Sequence, residues 1–284
     1  NNILIDDVVK PTISFVSEIG GDLPIRIESS ETGKVYIDAG DGELLATDLT
    51  ANTTEKFTVN ILNYETVKIF GNKLTSLYVN ALGLNDLDVS QCSTLKTLEC
   101  TNNMLTSLDL TQLTHLENLE CGDNKLDFAS LPQPSASYTS FVYAPQANLN
   151  VPCSNGMVDL SAQRTAIDAN GNTQTTVYTW YRTDGYQLIE DTHFFNLNGV
   201  FVFRYAPSEQ VYCTMTNAAF PGLTLRTEDI TVDTEASAPN IWHGAVDTDW
   251  HTAGNWAGGV PSTIDYIQIS STASNQPVIS SSVN

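Results

Sequence analysis

Two adjacent stretches, "LKTLECTNNMLTSLDL" from Leu95 and "LENLECGDNKLDF" from Leu116, write one pattern twice with a constant offset of 21 residues. Leu84, Leu105 and Leu126 keep that offset, as do Leu87 and Leu108, Cys100 and Cys121, and Asn103 and Asn124. One period earlier, Leu74, Leu77 and Val79 align with Leu95, Leu98 and Cys100, and Leu82 stands where asparagine is expected. Self-similarity at a fixed period of this length predicts a solenoid, because each unit can bury its apolar side only against the next.

Each period contains two short strand-like rows. One is Leu77-x-Val79, Leu98-x-Cys100 and Leu119-x-Cys121; the other is Val67-x-Ile69, Leu87-x-Val89 and Leu108-x-Leu110. Alternate residues of an extended chain face opposite ways, so these pairs point inward and the residue between them points to solvent. Asn103 and Asn124, with Asn72 before them, are expected inside the bends, where a side-chain amide satisfies backbone groups buried by stacking. Cys100 and Cys121 take the inward place of Val79, and Cys92 stands where Leu113 stands later. Buried free cysteine behaves as a small hydrophobe, so these thiols read as packing rather than as redox or metal chemistry.

The pattern resembles the leucine-rich repeat family in its short, helix-free form, as in internalin-like bacterial surface proteins. The resemblance implies a binding surface on one strand row, with Tyr78, Glu99 and Glu120 outward; Lys68, Asp88 and Asp109 lie on the opposite face. It also implies a protein or glycan partner on a host or neighbouring cell surface.

The expected fold is mainly β, in four parts: a β-rich N-terminal cap over 1–66, repeats over 67–136, a β-sandwich over 137–236 and a Trp/Gly-rich segment over 237–284. The cap is needed because a few coils cannot protect their own ends. "TISFVS", "LPIRIE", "KVYIDA" and "KFTVNIL" supply its strands, and Asp38 and Asp41 read as a tight turn. Within 137–236, Trp180 in "TVYTWYRTDG" and Cys213 in "VYCTMTN" resemble the core Trp and second Cys of immunoglobulin-like domains. The first Cys of that pattern is absent from "MVDLSAQ", and Cys153 lies just ahead of it, which leaves a Cys153–Cys213 bridge open. Trp242, Trp250 and Trp256 crowd the last segment, where Trp250 and Trp256 read either as a glycan-stacking platform or as rings buried under Gly-rich turns.

Charge narrows the function classes. The 284 residues carry 33 acidic and 12 basic side chains, a net charge of −21, which repels nucleic acid and anionic lipid. No apolar run reaches the roughly 18 residues of a membrane helix, and "NNILIDDVVKP" carries no export signal of its own. Catalytic signatures such as G-x-S-x-G, H-E-x-x-H or a P-loop are missing, and His115, His193, His243 and His251 are scattered. The expectation is a non-enzymatic monomer without cofactor or metal, extracellular or on the outer cell surface, with lipid anchorage left open. It would act in recognition or adhesion. The alternatives are a carbohydrate-binding accessory protein and a spacer for another module.

Overall fold

The computed structural model describes residues 10–61, 64–233, 240–261, 267–270 and 272–278. The first nine residues of the expected cap and the junction expected at 236–237 lie outside them. The described residues are mainly β, in several sheets, with no α-helix and no closed barrel among them. They form two compact units.

The first unit takes the described residues up to 148 together with 165–176 and 216–225. Its strands are β1 (Ile13–Ser17), β2 (Gly21–Ser29), β3 (Gly33–Asp38), β4 (Leu44–Leu49), β5 (Glu55–Ile61) and β6 (Thr66–Phe70). The repeats follow with β7 (Leu74–Tyr78), β8 (Leu84–Asp88), β9 (Thr97–Glu99) and β10 (Asn118–Glu120), and β11 (Ser140–Val142) closes the series. Six strands form one sheet in the order β11-β10-β9-β7-β2-β5, and five form another in the order β4-β3-β6-β1-β8.

Strands β7, β9, β10 and β11 run parallel, with Leu77, Leu98, Leu119 and Phe141 side by side. The 21-residue offset of the first three in the sequence is therefore the register of the ladder. Leu77, Val79, Leu98, Cys100, Leu119 and Cys121 are all buried, as are Cys92, Leu95, Leu105, Leu113, Leu116 and Leu126. Each fully buried aliphatic side chain contributes about 1.5–3 kcal/mol.

The second row departs from expectation. Strand β1 lies between β6 and β8, antiparallel to both, and sets Phe15 opposite Val67 on one side and Leu87 on the other. Ile13 and Phe15 thus occupy a layer that direct stacking of Val67 on Leu87 would have closed. Leu108 is buried, but 107–110 is not a strand. Neighbouring coils on this side are joined by single bonds, Met104 N–H to the Leu84 carbonyl at 2.7 Å and Lys125 N–H to that of Leu105 at 2.9 Å. The capping strands therefore do more than cover an end: β2 adds antiparallel to the free edge of β7, and both repeat faces continue into the N-terminal strands. Pro24 sits in β2 beyond the last residue paired with β7, where a missing N–H removes no bond to that neighbour.

Inside the bends the amides form a continuous ladder. Asn103 Nδ2 donates to the carbonyls of Val79, one coil back, and Cys100, in its own coil, at 2.8 and 2.9 Å. Its Oδ1 accepts the N–H groups of Leu82 and Leu84. Asn124 repeats this one coil later, donating to Cys100 and Cys121 and accepting from Leu105. Gln146 extends the series: its Nε2 donates to Cys121 and Tyr143, and its Oε1 accepts from Asn124 and Leu126. Asn72 does not take part. It is exposed, and the buried Ser29 hydroxyl donates to the Asn72 and Lys73 carbonyls instead. At Leu82, where the repeat lacks its asparagine, Ser17 Oγ donates to the Leu82 carbonyl at 2.6 Å. The bends pass through left-handed backbone at Ala81, Asn102 and Asp123, and asparagine and aspartate tolerate that conformation best among residues with a side chain. Beyond β11 the core is closed by rings: Phe141 packs on Tyr138 and Tyr143, Tyr143 on Phe220, and Phe220 on Phe128.

The second unit comprises 149–164, 177–215 and the described residues from 226 onward. Strands β12 (Cys153–Ser154) and β13 (Met157–Asp159) open it, and the hairpin β14 (Thr165–Ile167) with β15 (Thr173–Thr175) that follows belongs to the first unit. Then come β16 (Val177–Arg182), β17 (Phe194–Leu197), β18 (Val200–Phe203) and β19 (Val211–Thr216). One sheet runs β12-β13-β18-β17, while β16 and β19 are neighbours in another. Trp180 of β16 is fully buried, with Phe194, Phe201 and Phe203 around it at ring separations of 5.0–6.3 Å. Its place in the core agrees with the sequence. The strand Asn240–Trp242 pairs in parallel with Ile267–Ile269.

Replacing Asn103 or Asn124 by alanine strands several buried carbonyl and N–H groups at once. Each variant should lose about 2–4 kcal/mol in urea unfolding, since one unpaired buried group costs about 1–3 kcal/mol. Gln146→Ala, at a half-buried site, should cost about 1 kcal/mol, and Asn72→Ala should stay within about 0.5 kcal/mol. Equal effects at Asn72 and Asn124 would contradict the ladder.

Candidate functional site

The six-stranded sheet turns one side to the core and the other to solvent, and strand alternation decides which residues lie on the outer side. Register places Lys56, Arg26, Tyr78, Glu99, Glu120 and Val142 in one row across all six strands. A second row contains Glu28, Ser76, Thr97, Asn118 and Ser140. The structure thus brings Tyr78, Glu99 and Glu120 together on one face. It adds Lys56 and Arg26 from the capping strands, which lie outside the repeat pattern. The signal for them was the alternation in "LPIRIE" and "KFTVNIL", readable only once the pairing of β2 with β7 is known.

Fixed contacts hold the middle of the row. The Arg26 guanidinium lies 4.5 Å over the Tyr78 ring, with Nη2 3.9 Å from Glu99 Oε2. Asn80 Nδ2 donates to the same Glu99 oxygen at 2.9 Å, and Asn80 Oδ1 accepts from the Thr101 N–H and hydroxyl. Arg26 is 48% exposed, so its ion pair contributes only about 0.2–1 kcal/mol; its effect is to hold the Tyr78 ring and Glu99 in place. Glu120 stands beside Glu99 in the ladder and makes no ion pair among the described residues. Adjacent exposed like charges repel by a few tenths of a kcal/mol, roughly what an incoming cation would recover. Pro24, Arg26, Lys56, Tyr78 and Asn80 line a shallow hollow of about 460 Å³ on this face. On the other sheet, Lys68 pairs with Asp38 at 3.8 Å, and Asp38 Oδ1 also accepts the Gly40 and Gly42 N–H groups of its turn.

Trp250 and Trp256 are not a platform. They are 8% and 4% exposed and pack on each other and on Trp242, with ring centroids 4.6–6.2 Å apart. Trp256 Nε1 donates to the Trp250 carbonyl and Trp242 Nε1 to that of Asn275. Close backbone approach seals the cluster: a Cβ on Gly244, at φ +56°, would stand 2.1 Å from the Asn275 carbonyl oxygen. The Trp-rich segment is a small core of its own, organised by the fully buried Asn255, which bonds the backbone of Val246, Asp247 and Asp249.

The Cys153–Cys213 bridge is not made; all five cysteines are free. Cys153 lies in edge strand β12, with Sγ 3.8 Å from Asp233 Oδ1, whereas Cys213 is buried in β19 of the other sheet. Burial pushes the Cys92 and Cys121 thiols up to about 12 and raises Cys213 further. Cys100 is raised well above its ordinary value by burial, with the neighbouring Cys121 adding to it. Thiols kept protonated in this way are poor nucleophiles and poor metal ligands, which suits a packing role.

No protein-family profile matches the chain, and neither does any curated protein. Among solved structures, a similar chain is described as the functional domain of InlJ from Listeria monocytogenes, which includes a cysteine ladder. It is 21% identical, with a TM-score of 0.38, over 56% of this chain and 34% of that one. The chain spans about a third of that domain's length.

A thiol reagent at neutral pH should label Cys153 alone in the folded chain and all five thiols in denaturant, with the same total after reduction. Two thiols appearing only after reduction would reinstate the bridge.

Proposed function

We propose that the chain is a non-enzymatic surface protein that recognises a protein partner through the outer face of the six-stranded sheet. In this reading residues 67–136 are a short leucine-rich-repeat solenoid, 137–236 resemble an immunoglobulin-like sandwich, and the chain acts outside the cell. The observation that carries it is the row Lys56–Arg26–Tyr78–Glu99–Glu120. A half-buried aromatic ring is held by an arginine at the centre of a rigid face, with basic side chains to one side and acidic ones to the other. Interface hot spots are enriched in Tyr and Arg placed in this way, and mixed charge around them sets orientation and association rate. None of the described helical segments is long and apolar enough to cross a membrane.

The test is binding of the purified chain to an array of extracellular-matrix and cell-surface proteins, repeated with Tyr78→Ala and with Glu99→Gln plus Glu120→Gln. A partner should be found whose affinity falls at least about tenfold with Tyr78→Ala. The double glutamine variant should mainly slow association and reduce its salt dependence. Absence of any partner across the array would refute the reading, as would binding indifferent to both variants or native protein confined to the cytosol.

A further inference from the structure

The exposed aromatic residues of this chain are not its tryptophans. In the second unit Tyr186, His193 and Tyr205 follow one another across the surface, with ring centroids 5.8 and 6.0 Å apart. Tyr186 and Tyr205 are 48% and 47% exposed, and His193 is half-buried. Aromatic rings are normally spent on burial, so two tyrosines left exposed on either side of a half-buried histidine are a feature to be explained. The strip is held from beneath. His193 Nδ1 lies 2.9 Å from the Ile189 amide nitrogen and 3.2 Å from the Ile189 carbonyl oxygen, and the Arg182 guanidinium lies 4.9 Å over the Tyr186 ring.

Tyr205 also lines a cleft of about 540 Å³ within the same unit, together with Thr192, Arg204, Asn240 and Gly258 above a floor of Phe195, Val202 and Ile241. That volume lies within the range of small-ligand sites, which combine an apolar floor with a few fixed polar groups. Arg204 is such a group. Its Nη1 donates to the Asp191 carbonyl at 2.8 Å and its Nη2 to that of Ala257 at 3.3 Å, while its Cζ lies 5.4 Å from the Phe195 centroid. A guanidinium has five N–H donors, so this exposed side chain is fixed in direction and still has donors to offer. Asn240 bonds Gly258 N and the Gly259 carbonyl, and this holds the glycine loop at the cleft wall.

We propose that this strip and cleft form a binding site for a neutral oligosaccharide. A sugar ring presents apolar C–H faces and a rim of hydroxyls. Tyr186 and Tyr205, with the His193 ring between them inclined at 69° and 58°, offer separate apolar faces beside the fixed donors of Arg204, which match that alternation. Charge selects against the anionic alternatives: the chain carries −21, Arg182 is neutralised by its ion pair with Asp184, and Glu190 and Asp191 stand beside His193 in the sequence. The site is independent of the sheet face of the first unit.

Calorimetric titration of the full chain with neutral β-linked gluco-, xylo- and manno-oligosaccharides tests it. One series should bind, without loss at raised salt. Tyr186→Ala, Tyr205→Ala and Arg204→Ala should each weaken binding at least about tenfold. Tyr212→Ala, whose ring stacks on Tyr181 away from the cleft, should leave it unchanged. All four variants should remain folded, with a cooperative melt and the parent's far-UV spectrum. In the unaltered chain, addition of sugar should shift the His193 ring resonances and leave those of His115 in place, a readout that needs no variant. The proposal is overturned if no neutral oligosaccharide binds the folded chain, or if binding survives loss of both Tyr186 and Tyr205. It is equally overturned if only polyanionic glycans bind and salt removes them, or if the His193 signals do not move.

Discussion

Stacking one coil on the next buries the carbonyls of Val79, Cys100 and Cys121 and the N–H groups of Leu82, Leu84 and Leu105, all of which take side-chain amides as partners. Unpaired, such groups would cost about 1–3 kcal/mol each and cancel much of what leucine burial contributes. Asn103, Asn124 and Gln146 remove that cost, each amide joining its own coil to the one before it. A side chain with one acceptor and two donors at the inside of a bend is the minimal device that does this, which is why the asparagine keeps phase with the leucines. Aliphatic packing supplies the energy, and the amides favour the one stacking register in which these bend carbonyls and N–H groups are paired.

That register in turn builds the outer face. Parallel strands offset by 21 residues place Tyr78, Glu99 and Glu120 shoulder to shoulder. The antiparallel addition of β2 carries the row on through Arg26 to Lys56. The face is rigid because the side chains beneath it fill a closed core, bounded by the N-terminal strands at one end and by the rings of Phe141, Tyr143 and Phe220 at the other. The second unit has a different logic, with an aromatic core around Trp180 and a tryptophan cluster that is a core in its own right.

Inward positions of the repeats were legible because period and residue type agreed over successive turns, down to the thiols at 100 and 121. The β-rich character was legible too. What escaped was non-local. Nothing in "TISFVS" says that it inserts between two repeat strands, and Gln146 stands 22 residues after Asn124, one out of phase and of a different type. Ser17 and Ser29 do the work of bend asparagines from outside the repeat, while Asn72 matched by position and proved to be exposed. Segments 165–176 and 216–225 join the first unit although they are flanked by strands of the second, a grouping set by long-range contact. At the candidate sites, residue type misled. Tryptophan size suggests a stacking platform, yet size is also the reason these rings are buried, and Tyr64, Tyr186 and Tyr205 are among the rings left in solvent.

Amide hydrogen exchange at the bends probes the stacking most directly. The N–H groups of Leu84, Leu105 and Leu126 have side-chain oxygens as their acceptors, those of Asn103, Asn124 and Gln146 respectively. If the amide ladder holds the coils together, these three protons exchange as slowly as those of the ladder strands β9 and β10, through the same global opening. Exchange at the rate of exposed loops, with β9 and β10 still protected, would mean that the coils stack without it.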